Sequence, residues 1–191
     1  MQWWRGLGLG LVLVALAGCA TTQTAAGGSA LREGRPAEAA ERFKEALAED
    51  PNRVDAKIGL GISSYRLAAY DDAIATLTDA AKQAPGQPAV HLYLALSHLR
   101  KRDDAKAIEE LTALRALPLE PRLAAQVDQT LALLRAGGVT DAIRTYVAAS
   151  VDYAFDWTRE VAETRLALRH AQLAWDPFWS HPYVLVPCRR C

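Results

Sequence analysis

The chain has little of what most functional classes require. Acidic and basic residues balance, with Asp+Glu 22 against Lys+Arg 22 in 191 residues. There is thus no cationic excess to neutralise phosphates, and nucleic acid is excluded as a first partner. β-Branched residues are sparse beside abundant alanine and leucine, which argues against a sheet and for packed helices. His91 and His98 stand two helical turns apart rather than the one turn that lets a pair share an ion, so they are expected as structural residues and no zinc signature forms. No metal or cofactor is expected. No G-x-S-x-G elbow, phosphate loop or H-E-x-x-H occurs, and the acids are spread as on solvated helix faces, so no enzyme is expected.

What is present begins with an address. Residues 1–18, MQWWRGLGLGLVLVALAG, hold one Arg and an apolar run from Leu7 to Ala17. That run is too short to span about 30 Å of hydrocarbon, yet it fits the h-region of a cleaved signal peptide. The tetrad Leu16-Ala17-Gly18-Cys19 resembles the lipobox of bacterial lipoproteins. The resemblance implies cleavage after Gly18, lipidation of Cys19 and, with Ala20 next, anchoring in the outer membrane on its periplasmic face. Such an anchor would be effectively permanent. Removing residues 1–18 takes away Arg5 and no acid, leaving the mature chain nearly neutral and without a second, electrostatic attraction to membranes.

A 34-residue period fills the next part of the chain. Pro51 and Pro85 lie 34 apart, as do Ala39 and Ala73, Phe43 and Leu77, and Ala46 and Ala80. A further step reaches Ala107, Leu111 and Leu114. Leu60-Gly61 returns as Leu94-Ala95, and Gly34, Ala68 and Arg102 share the turn position. Each unit reads as two amphipathic helices, with small residues where the helices approach and proline where they end. One unit cannot bury its own face, so neighbours must stack. The pattern resembles the tetratricopeptide repeat, with units at 20–53, 54–87 and 88–121 and a capping helix at 122–136. It departs from that family at the bulky fourth position of the first helix, where Lys57 and His91 stand. The expected fold is an all-α, tetratricopeptide-like solenoid of about three helix-turn-helix units, with C-terminal helices and an extended tail. The expected divisions are a signal peptide at 1–18, a lipidated N-terminus with a weak first helix at 19–33, the solenoid and cap at 34–136, helices at 139–175, and a Pro/aromatic tail at 176–191.

Gly137-Gly138 stops the cap, and from Asp141 to Trp175 there is no Gly or Pro, giving two helices or one long one. The aromatics gathered after residue 145 either pack these helices on the solenoid or hook a partner. Cys188-Arg-Arg-Cys191 carries the redox-like signature. Two flanking arginines would lower the thiol pKa values, but the strand-to-helix setting of a catalytic pair is missing. A disulfide between Cys188 and Cys191, free thiols, intermolecular pairing, metal capture and a thiol-redox role stay open. Arg32, Arg66 and Arg100 repeat in phase. By the resemblance they face a concave groove able to grip peptide carboxylates, lined also by Ile62, Tyr65, Leu92, Leu96 and Leu99. The alternative is local pairing with acids such as Asp55, Asp71 or Asp72. The expected function is a non-enzymatic scaffold or adaptor holding a protein or peptide in envelope, pilus or secretion-system assembly.

Overall fold

The computed structural model describes residues 22–179, with side chains through Ala171. Every regular element among them is an α-helix. These are α1 (residues 22–32), α2 (Pro36–Glu49), α3 (Val54–Arg66), α4 (Tyr70–Gln83), α5 (Pro88–Arg100), α6 (Asp104–Arg115), α7 (Pro121–Ala136) and α8 (Asp141–Trp179). Prolines at the first positions of α2, α5 and α7 open helices where a missing N–H costs nothing. Pro51 and Pro85 follow the C-caps of α2 and α4.

The helices pair in order as α1–α2, α3–α4 and α5–α6, with α7 closing the stack. The columns read from the sequence are the contacts that hold it. Ala39, Ala73 and Ala107 have no exposed surface, and Phe43, Leu77 and Leu111 fill the layer between them. Opposite Phe43 and Leu77 the facing helix must be bare. A Cβ on Gly59 would stand 2.2 Å from the Phe43 ring, and one on Gly61 would stand 2.5 Å from Leu77.

The inter-helix turn repeats as faithfully as the core. Gly34, Ala68 and Arg102 all take positive φ, at 71°, 61° and 64°. In each the following residue donates across the turn: Arg35 N–H to Ala30 O, Ala69 N–H to Ser64 O, and Asp103 N–H to His98 O. This is the left-handed helix ending that satisfies terminal carbonyls.

The first helix of the first unit is formed over 22–32, where packing offsets the low propensity of Gly27 and Gly28. Gly27 lies against the Phe43 ring, where a Cβ would approach to 2.9 Å. The extended tail expected from residue 176 is not met over 176–179, because α8 is one helix that runs on through Trp179; the rest of that stretch lies outside the described residues.

Candidate interaction groove

The first helices of the units, α1, α3 and α5, and the cap α7 form the inner face of the array. Here α8 returns. After the Gly137-Gly138 corner, both at positive φ, it packs on α5 and α7 with Val147, Ala148, Val151, Ala154 and Phe155 buried. Its start is tied to the third unit. Arg144 spans both Asp104 oxygens at 2.8 and 2.7 Å, holding that carboxyl below its usual pKa, and Arg102 pairs with Asp141.

The three periodic arginines follow the path of α8. Arg100 donates to Thr145 Oγ1 at 2.8 Å and to Tyr70 OH at 2.9 Å. Arg66 donates to Asp156 at 2.7 Å and to the Leu31 carbonyl at 3.0 Å. Arg32, exposed, borders a cleft of about 340 Å³ between α1, α3 and α8, lined also by Ile62, Arg66, Arg159 and Glu163. Two of the acids offered as local partners are taken by other residues: Arg53 pairs with Asp55 and Lys101 with Asp71.

The apolar groove positions are covered. Leu92, Leu96 and Leu99 have no exposed surface and Ile62 is buried. Tyr65, half-buried, stacks edge-on to Tyr93, which in turn meets Phe155 of α8 edge-on with centroids 6.1 Å apart. Tyr93 OH donates to Asp152 at 2.7 Å. Burial pushes the pKa of Asp152 up against the opposing pull of that hydrogen bond and of Arg66, and burial pushes the Tyr93 hydroxyl well up too.

Asp152 and Asp156 are the residues that sequence reasoning missed. Their signal was two acids four apart, flanking Phe155 in the otherwise uncharged stretch from Thr145 to Thr158. His91 and His98 have partners: the ring nitrogens of His91 meet Glu110 and the Pro85 carbonyl, both at 2.8 Å, and buried His98 stands 3.6 Å from Asp103. At the departure position, Lys57 is buried and paired with Asp79, so both non-family residues reach acids on a following helix. Cys19, Cys188 and Cys191 lie outside the described residues. A family model for the tetratricopeptide repeat matches residues 24–88 and, overlapping, 65–121. No curated protein matches the chain.

Proposed function

The chain belongs to the tetratricopeptide repeat family, and from that membership we propose that it works as a lipid-anchored adaptor, held at Cys19 on the periplasmic face of an outer membrane and recruiting a protein or peptide to envelope, pilus or secretion-system assembly. The repeats are a protein-interaction scaffold, and the proposal assigns them a place and a ligand chemistry. The observation that carries the ligand chemistry is α8 itself, since a helix with an apolar stripe and two acids already lies along the inner face, with Asp156 on Arg66 and Asp152 on Tyr93. A partner segment of the same pattern competes for Arg66, Arg100 and the apolar positions beneath α8. It enters at the cleft, where Arg32 faces an opening rather than a packed layer. Helix-in-groove recognition of this kind draws affinity from apolar anchors and orientation from charge.

Two measurements test the two halves. Mass spectrometry of the membrane fraction should find the mature N-terminus at Cys19 carrying lipid, and a soluble, unacylated mature chain removes the anchor. A photoreactive residue at position 32 should crosslink one envelope protein that the same residue at exposed Glu41 of α2 does not. Equal yields from both positions overturn the groove.

A further inference from the structure

The face of α8 turned away from the groove carries a second pattern. Tyr146, Tyr153, Trp157, Val161 and Leu168 recur at intervals that keep one side of a 3.6-residue helix. Tyr146 is 75% exposed, Tyr153 64% and Leu168 60%. From Tyr146 to Leu168 the helix advances about 33 Å at 1.5 Å per residue, and α8 has no break over that distance. Arg122 of α7 stacks on Trp157, its guanidinium 4.6 Å from the ring centroid, so a cation borders the stripe where it leaves α7. Tyrosine and tryptophan with an arginine at the margin are the side chains favoured at the boundary of a bilayer.

The position of the chain's N-terminus says what faces this stripe. α8 runs along the array from the third unit, at Arg102 and Asp104, to the first, at the Arg32 cleft. Residues 164–171 continue beyond the cleft, all of them exposed. The same end of the array holds α1, described from residue 22, only three positions after Cys19. The ten-residue rise from Thr22 to Arg32 is about 15 Å, and the three-residue step back to Cys19 spans at most about 10 Å whatever its conformation. An anchor at Cys19 therefore keeps the plane of α8 within a few nanometres of the lipid surface.

We propose that the outer stripe of α8 is a bilayer-contact surface, seated in the headgroup boundary beside the lipid anchor, so that the solenoid is held with its inner face toward the membrane. No described helix is long and apolar enough to cross a membrane, so α8 lies in the plane of the boundary rather than spanning it. The surface rests on the anchored reading for its orientation but binds lipid by its own side chains.

The test removes the anchor. The chain from residue 19 onward with Cys19→Ser keeps every described helix, and all its tryptophans (Trp157, Trp175 and Trp179) lie in α8. Adding vesicles of phosphatidylethanolamine and phosphatidylglycerol should shift its fluorescence to the blue and carry it upward in a flotation gradient. Tyr146→Glu/Leu168→Glu should weaken flotation at least about tenfold with unchanged helix content and melting, because both side chains are exposed. A parent chain that stays at the bottom of the gradient with unshifted fluorescence overturns the proposal, as does equal flotation of the double variant. A concentration-dependent dimer that shields Trp157 assigns the stripe to a second copy and also overturns it. Since no acylated protein is used, these outcomes are independent of whether Cys19 is lipidated.

Discussion

Two single residues hold conformations or charges that the fold imposes against their preference. Ala68 sits at φ 61°, a left-handed conformation that costs an alanine about 1 kcal/mol and a glycine almost nothing. Gly34 shows the solution at the equivalent turn. Ala68→Gly should raise stability by about 0.5–1 kcal/mol in denaturant titrations, the relief of strain exceeding the extra freedom of the unfolded chain. Asp152 and Asp104 carry opposite pH signatures. Asp152 binds its proton more tightly folded than unfolded, chiefly through burial. The folded state therefore loses stability as pH rises from the ordinary 3.8 toward the raised value. Asp104, depressed by its hydrogen bonds to Arg144, stabilises above 3.8, and that stability is lost as pH falls through its lowered value. Asp152→Asn keeps an acceptor for Tyr93 OH and should melt higher than the parent near pH 7, the gain vanishing below pH 3.8. Asp104→Asn should melt lower near pH 7 and match the parent in acid. Parallel melting curves for either variant across pH 3–7 would contradict the assigned signs.

At the scale of the helix, α8 separates what periodicity reveals from what it hides. Unit boundaries, small-residue columns and the shared turn were legible because each unit repeats the same local problem. Even α1 was signalled, by Gly27, Gly61 and Ala95 falling 34 apart, although its polar composition pointed the other way. The return of α8 was not legible. Its anchors join residues 90, 59 and 45 positions apart, and no spacing rule links Arg66 to Asp156 before the array exists to bring them together. The groove was therefore readable as a surface and unreadable as an occupied one. This changes the expectation for Arg66. As an exposed rim charge its reversal would hardly affect folding, but here it donates to Asp156 and the Leu31 carbonyl at once. Arg66→Glu breaks both bonds and sets a third carboxylate beside Asp152 and Asp156. It should lower stability by about 2 kcal/mol and loosen α8, read as faster amide exchange over residues 150–160. Arg100→Glu, whose partners are the neutral hydroxyls of Tyr70 and Thr145, should cost about 1 kcal/mol or less.

For the molecule as a whole, the array and its returning helix obey different rules of assembly. Neighbouring units touch in chain order, so the stack can grow by short closures, whereas seating α8 requires the ends of a segment of up to 90 residues to meet; local contacts form quickly and distant ones slowly. Refolding should accordingly show most helical signal returning before the Trp157 fluorescence does. Simultaneous recovery of both probes would place α8 in the nucleus. The consequence reaches the birth of the protein. A chain threaded N-terminus first delivers α1 to α7 before α8 has emerged, and for that interval Tyr93 lacks the cover of Phe155, and Arg66 and Arg100 lack their partners Asp156 and Thr145. The newly emerged chain is at its stickiest then, and the helix that arrives last acts as its own chaperone.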